Sequence, residues 1–473
     1  MELILYFSGV VLLALAAFFL RKKSLQITVT SIFGIWQILF TIFLVKNINK
    51  SWFEYFFNDN ISLILTLLLT ITSIAALINT FVYFEYRNEK ALVRSIYLSS
   101  IMILMGCMTG VFLSNNAGLM WILAEATTLA IAVLIYHERN NEALEATWKY
   151  VFVSTIGLSF SFIGIILLDM SLLSGTEMTL FFNQINETIT ITNKLLFQIA
   201  FVLIVIGFSI KMEIFPLHTV CVDANSIAPA PVSAIISTSL ANVGFLAIFR
   251  FYKIAASTEL HNWAGNILLI LGTLSILYAA VYMMRVKNYR RLVAYSSIEH
   301  LGLVSLGIAT GGIAWIAAIL HIIYHSLIKS SLFFQLSQFY KMFKTHNIIG
   351  IKGYFKINPF GGIVVLLSII LILGIPPSGL FFTELLLFKT MYEKGLLWLV
   401  IIILILLTLI IWIVIKQFFR MLFSNILEEQ LKSIKKVKWY ESLPQFILLL
   451  IALYFSINPP EYLLSFIQQG ILP

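Results

Sequence analysis

Apolar runs of roughly 20 residues recur along the whole chain, each long enough to cross about 30 Å of hydrocarbon as a helix. Nothing constrains the fold more. In lipid every backbone N–H and C=O must be satisfied within the protein, so a chain of such runs folds as packed helices. The composition agrees: 60% of residues are hydrophobic and 11% charged, against about 25% charged in soluble domains. The expected fold class is an all-α polytopic membrane protein of about fourteen transmembrane helices. The spans are expected near 3–20, 25–45, 61–84, 95–113, 117–136, 148–168, 194–214, 229–251, 265–284, 292–309, 313–339, 361–391, 396–420 and 444–468. The first run lacks a basic leader and is followed by Arg21-Lys22-Lys23, which reads as a retained first helix.

The stretch from Phe201 to Phe251 organises the rest. It begins as an apolar helix, places Lys211 at lipid depth, and then runs through Glu213, Pro216, His218 and Asp223 before apolar character resumes near Pro231. Proline removes a backbone donor and clashes with the preceding turn, so the helix should break near Pro216. Broken backbone survives at membrane depth only where protein buries it or water lines it, and an ionisable residue beside it is a functional candidate. Leu373-Gly-Ile-Pro-Pro-Ser-Gly-Leu-Phe-Phe-Thr-Glu384 repeats the pattern five spans later. Two broken helices so spaced suggest two inverted five-helix repeats. The expected units are 1–90 (three helices), 91–255 and 256–425 (one repeat each), and 426–473 (a basic loop and a last helix).

The net charge of +9 is a matter of topology. Odd-numbered loops hold 22 Lys and Arg residues and even-numbered loops hold 6, with Arg250 among the latter and Arg290 among the former. By the positive-inside rule the odd loops face the cytoplasm and both termini face outward. That distribution excludes a nucleic-acid patch as the source of the charge. The polar loop 169–193 is expected to wrap the outer face, and the Lys432–Lys438 stretch to anchor the inner one. The two cysteines form no CxxC pair and no glycine-rich nucleotide loop is present, so no cofactor is expected on this chain.

Single charges inside the spans carry the chemistry. Glu125 lies mid-span, where a carboxylate costs about 2.5–3.5 kcal/mol unless paired or hydrated. It reads as an ion-handling group partnered by Lys211, or as half of a structural ion pair. Changing the separation of the two would move the proton's preferred place. His321, His325 and Lys329 are spaced i, i+4, i+8 and share one helix face. Such a file suits a proton relay, and also a packing seam. A zinc site is disfavoured because no third ligand lies nearby in the sequence. His218 and Asp223 read either as an entry path or as groups that satisfy loose backbone, and Glu299 and His300 are similarly open. Glu145 and Lys149 read as interfacial.

These motifs resemble the antiporter-like proton-translocating membrane subunits of respiratory complex I, Mrp-type antiporters and group 4 hydrogenases. IKMEIFPLHTVCVDANSIAPAPVSA is similar to the signature KxxxxPxHxWLPDAHxxAPxPVSA. NYRRLVAYSSIEHLGL, HIIYHSLIKSSLFF and GIPPSGLFFTE resemble three further elements of that family, in its order. The resemblance runs from about residue 90 to 420. It implies Glu125 and Lys211 as a coupling pair, Lys329 as the central relay, His321 and His325 as path-lining groups, and Glu384 as the terminal exchange group. The form Ser-Ser-Ile-Glu-His-Leu-Gly, with Glu384 in place of lysine, is most similar to component F of hydrogenase-4-type complexes. Asn242 stands where relatives often hold a relay lysine, and Val220-Cys221-Val222 and Asn225 replace parts of the signature.

The implied function is a non-catalytic, proton-translocating subunit of a redox-driven complex in the cytoplasmic membrane. Other membrane subunits and soluble redox subunits would be its partners, and protons or sodium its ion. Three alternatives stand beside it: a subunit of a sodium/proton antiporter with no redox partner, an inert anchor for a soluble enzyme, and a subunit of a carbon-uptake complex with a soluble metalloprotein.

Overall fold

A computed structural model describes residues 1–172, 180–183, 191–426 and 437–471. The described chain is a bundle of helices with one two-stranded hairpin, β1 (Ser51–Trp52) and β2 (Phe56–Phe57), at one end. In order the helices are α1 (Glu2–Phe19), α2 (Lys23–Lys46), α3 (Asn60–Arg87), α4 (Ala91–Leu113), α5 (Ala117–Ile135), α6 (Asn141–Ser171), α7 (Lys194–Ser209) and α8 (Thr219–Ile227). Then come α9 (Ala230–Ala256), α10 (His261–Met283), α11 (Tyr289–Thr310), α12 (Ile313–Phe343) and α13 (Pro359–Ile372). α14 (Gly379–Glu393), α15 (Leu397–Phe423), α16 (Leu443–Ile457) and α17 (Glu461–Ile471) complete it. Among the described residues, twelve helices are long and apolar enough to cross a membrane, and α7 and α13 are shorter apolar helices. The protein is a multi-span helical membrane protein.

Both expected breaks are present. α7 stops at Ser209, and irregular backbone leads through a cis Phe215–Pro216 bond to α8. α13 stops at Ile372 and resumes as α14 after a cis Pro376–Pro377 bond. The last expected span, 444–468, is not one helix. Asn458-Pro459-Pro460 divides it into α16 and α17, because proline cannot donate to the preceding turn.

α9 and α12 form the centre. The most apolar window of α9 is wholly enclosed by protein and that of α12 nearly so, whereas α1, α6 and α15 turn most of their surface outward. This is why α12 can carry His321, His325 and Lys329 without exposing them to lipid. Small residues permit the closest approaches: a Cβ on Gly244 of α9 would run into the backbone of Lys211 and Met212. α9 is thereby pressed directly against the first break.

Two cations assigned to loops are buried on helices. Arg250, on α9, is 9% exposed and donates to the Ser114 and Phe112 carbonyls, to Ser62 Oγ at 2.9 Å and to Asp59 Oδ2 at 3.0 Å. Arg290, 8% exposed at the start of α11, donates to the Ala228 carbonyl and to Ser233 Oγ at 2.8 Å. Both close open helix ends rather than face solvent, and their removal from the loop tally leaves its asymmetry standing. Of the loop 169–193, residues 180–183 lie along Asn115–Ala117, with Ala117 N donating to the Leu180 carbonyl at 2.9 Å. Residues 173–179 and 184–190, and all of the basic stretch before Val437, fall outside the described residues.

Candidate functional site

The first break is built around Glu213. Its φ of 58° lies in the left-handed region, which costs any residue but glycine about 1–2 kcal/mol, so the chain reverses there under strain. The turn leaves Lys211 and Glu213 both about 1% exposed. Lys211 Nζ donates to Thr128 Oγ1 at 2.8 Å, to Thr127 Oγ1 at 3.0 Å and to the Tyr150 hydroxyl at 3.5 Å. Glu213 Oε1 accepts from Asn225 Nδ2 at 3.0 Å, and Oε2 has no protein partner. His218 lies edge-on against Tyr278, ring centroids 4.0 Å apart, with neither ring nitrogen hydrogen-bonded to protein.

Among the described residues the expected partners Lys211 and Glu125 form no direct salt bridge. Glu125 is half-buried on α5 and accepts from Thr155 of α6 at 2.8 Å. Its Oε2 has no protein partner. Glu125 is thus bound to α6 through Thr155, while Lys211 is bound to α5 through the two threonines that follow Glu125.

On α12, His321, His325 and Lys329 are each at most 3% exposed. His300 of α11 lies across from the file: its ring centroid is 5.2 Å from that of His321 and 5.3 Å from that of His325. Lys329 Nζ donates to the Val293 carbonyl at 2.6 Å and to Ser296 Oγ. Neither ring nitrogen of His325 has a protein partner, nor do Asn242 Oδ1 and Ser330 Oγ. Buried polar atoms are rarely left so, and each is costly unless water reaches it. Asn242 Nδ2 donates to Ser326 Oγ at 3.3 Å, so α9 meets α12 one turn before Lys329.

Glu384 follows the second break. A Cβ on Gly374, whose φ is +61°, would stand 2.9 Å from Glu384 Oε2, so the carboxylate rests over that glycine. Asp223 stands apart. It is partly exposed, 2.9 Å from Arg291 Nη2 and 4.0 Å from Lys149 Nζ, and Lys149 is 2.5 Å from Glu145. The structure thus groups His321, His325 and Lys329, with Glu384 beside His321, and puts Asp223 in a surface ion cluster. Three buried groups belong with the file that spacing alone left open or unweighed: Glu213, Glu299 and His300. Their signal was present as charges in buried helices, but their partners lie on other helices.

Two broken helices thus enclose buried ionisable groups in a multi-span, predominantly helical membrane protein. Residues 114–410 match the family model described as "NADH:quinone oxidoreductase/Mrp antiporter, TM", and the chain belongs to that family. It is 34% identical over 288 residues to a protein named hydrogenase-4 component F homolog from Methylacidiphilum infernorum, covering 60% of each chain. It is 28% identical over 308 residues to NAD(P)H-quinone oxidoreductase chain 4 1 of Synechococcus elongatus, covering 62% of this chain and 55% of that one. The matched region therefore spans less than two thirds of either relative. The fold is that of a chain in the membrane-bound sulfane sulfur reductase, an archaeal respiratory membrane complex, with a TM-score of 0.87 and 20% identity over 99% of this chain and 97% of that one. A chain of the Mrp complex from Dietzia superposes with a TM-score of 0.85 at 15% identity, covering 99% and 96%.

Proposed function

We propose that the chain moves protons within a multi-subunit complex of the cytoplasmic membrane, through Lys211, Glu213, the His321–His325–Lys329 file and Glu384. One observation carries this reading: Lys211, Glu213 and Lys329 are almost wholly buried, and among the described residues none of them is held in a salt bridge. Structural buried charges are normally paired, because breaking a pair leaves a cost of about 3–5 kcal/mol. Groups held by threonine, serine, asparagine and backbone carbonyls instead can change protonation without losing a counter-ion.

Glu125, bound to α6 through Thr155, acts on Lys211, which Thr127 and Thr128 of α5 hold, so movement of α5 against α6 alters how strongly the carboxylate holds the proton on the lysine. Unpartnered atoms of Glu213, Asn242 and His325 mark where water would link the two lysines. His218 stands at the first break, and Asp223 with Arg291 lies at the surface near it as an entry group. Residues 91–255 and 256–425 would be the two inverted repeats, with odd loops in the cytoplasm and both termini outside. Partners are other membrane subunits, by analogy with the respiratory membrane complex whose chain shares the fold, and soluble redox subunits that drive the cycle.

The test is proton translocation by membrane vesicles holding the intact complex. Lys211→Ala and Lys329→Ala should each abolish it while leaving the complex assembled. Unchanged translocation in either sinks the reading. A transport activity that follows sodium rather than protons would keep the site and change the ion.

A further inference from the structure

His300, His321 and Glu384 come from three helices, α11, α12 and α14, and one donor atom of each lies within 4.8 Å of the other two. His300 Nδ1 is 3.1 Å from His321 Nε2. Around a tetrahedral ion with metal–nitrogen bonds of about 2.0–2.1 Å, donor atoms stand about 3.3 Å apart. The two imidazoles are thus already at that spacing, and a turn of the Glu384 side chain would bring in the third donor. Among the described residues the Glu384 carboxylate has no hydrogen-bond donor of its own.

The surrounding groups also set the histidines as ligands. The Thr383 hydroxyl has one hydrogen, and it is donated to the Leu380 carbonyl at 2.8 Å. Thr383 Oγ1 must then accept from His321 Nδ1, 2.9 Å away. A neutral imidazole carries one N–H, so His321 Nε2 presents a lone pair to the cluster. On the other ring, His300 Nε2 stands 3.5 Å from Glu299 Oε2. A carboxylate behind a histidine is the usual outer support of a metal-binding imidazole. In the ion-free chain His300 Nδ1 donates to His321 Nε2, so an ion between the two rings would take the place of that proton and leave the His300 hydrogen on Nε2, towards Glu299. Glu384 and Glu299 also bring two carboxyl groups to the cluster, which lessen the cost of burying a dication there. Lys329 gives its hydrogens to the Val293 carbonyl and Ser296 Oγ rather than to the histidines or Glu384.

We propose that His300, His321 and Glu384 form a binding site for a divalent transition-metal ion of the zinc class. The argument against zinc from spacing rested on a missing third ligand, and the fold supplies it from other helices. An ion here would sit between the α12 histidines and Glu384 and so arrest transfer between them; that consequence, unlike the binding itself, rests on the proton-relay reading above.

The test is Zn²⁺ titration of the full-length protein in lipid nanodiscs, by calorimetry, with X-ray absorption of the zinc-loaded sample. The expected result is one ion per chain with two imidazoles and oxygen in its shell. His300→Gln and His321→Gln should abolish this site, and Glu384→Gln and Thr383→Val should each weaken it by about tenfold or more. His261→Gln and His346→Gln, remote from the cluster, should change nothing. Thermal melting separates misfolded variants, and Thr383→Val keeps every ligand in place. Zinc that binds His300→Gln and His321→Gln as it binds wild type, or a shell with fewer than two imidazoles, would overturn the proposal. No transport is measured, so failure here leaves the proton reading untouched, and the reverse also holds.

Discussion

Thr128 holds Lys211 by a hydrogen bond of 2.8 Å, Oγ1 to Nζ, in a place where an ion pair with a carboxylate would be the ordinary arrangement. Thr127 adds a second such bond at 3.0 Å. A hydrogen bond to a charged group is worth about 1.5–3 kcal/mol. Thr127→Val with Thr128→Val leaves the ammonium with Tyr150 alone, at 3.5 Å. Proton translocation by vesicles holding the intact complex should fall about tenfold to a hundredfold, with normal amounts of protein in the membrane. Thr155→Val, which frees Glu125, should have a smaller effect, since Lys211 keeps its own partners. Equal losses from both changes would mean that the threonines serve packing only.

Glu213 sets conformation against function at one residue. Its left-handed backbone favours glycine by about 1 kcal/mol or more. Glu213→Gly should therefore raise the melting temperature of the detergent-solubilised protein. It should nevertheless stop translocation, since the carboxylate is gone. Glu213→Gln keeps the strain and the Asn225 contact, so it should melt near wild type and be equally inactive. Translocation retained by both variants would remove Glu213 from the path.

What could be read from the chain follows from which contacts are local. The file His321, His325, Lys329 was legible because helical periodicity alone puts i, i+4 and i+8 on one face. Both breaks were legible because proline and glycine act on the backbone where they stand. That Lys211 is held by Thr127 and Thr128 rather than by a direct salt bridge to Glu125 was not, since it depends on how α5, α6 and the first break pack. The place of His300 beside His321 likewise depends on the crossing of α11 and α12. Arg250 and Arg290 read as loop cations because span ends are blurred by a few residues, and only packing shows that carbonyls of other helices await them.

Gly244 shows what close approach costs. Glycine to alanine inside a helix gains about 0.5–1 kcal/mol when nothing opposes it. Gly34 of α2 has nothing within 4 Å of the added Cβ, so Gly34→Ala should stabilise by that amount. At Gly244 the same methyl would stand 2.6 Å from the Lys211 carbonyl carbon and also strike Met212 backbone. Backbone cannot rotate aside as a side chain can, and overpacking costs about 1–3 kcal/mol. Gly244→Ala should lower the melting temperature and, by moving the segment that holds Lys211, reduce translocation in the same vesicles. A rise in melting temperature at both positions would show that α9 has room to move.

At the end of the bundle away from the hairpin, Glu89 lies in the α3–α4 turn, 3.5 Å from His137 Nε2 and 3.9 Å from Arg87 Nη1. The close approach of His137, with the charges of Arg87 and Arg139, holds its carboxyl below the ordinary value of 4.5. A carboxyl lowered on folding adds stability that is complete above its unfolded value and is lost as the pH falls through its folded one. Melting temperature measured from pH 7 down to 3 should show a decline below about 4.5 that Glu89→Gln makes shallower, while at pH 7 the variant should melt below wild type. An identical pH profile for the two proteins would mean that the turn draws nothing from this charge.

Arg250 makes the last and largest prediction. It ties α9 to the carbonyl ends of α4 through Phe112 and Ser114, and to the start of α3 through Ser62 and Asp59. Asp59 also accepts from Ser62 N at 2.6 Å, so it retains a donor if the arginine goes. The two carbonyls have no such reserve. Arg250→Met keeps the stem and removes the head, which should cost about 3 kcal/mol, the low end for a buried pair because Asp59 is partly exposed. Arg250→Lys keeps the charge but loses the planar fork that reaches carbonyls and carboxylate at once, so it should recover less than half of that loss. Because Arg250 sits on the same helix as Gly244 and Asn242, loosening it frees α9 at the end opposite to its contact with Pro229 and Arg290. Translocation should then fall in parallel with the melting temperature across the Lys and Met variants. A variant that melts lower but translocates normally would show that the site keeps its geometry without this tie.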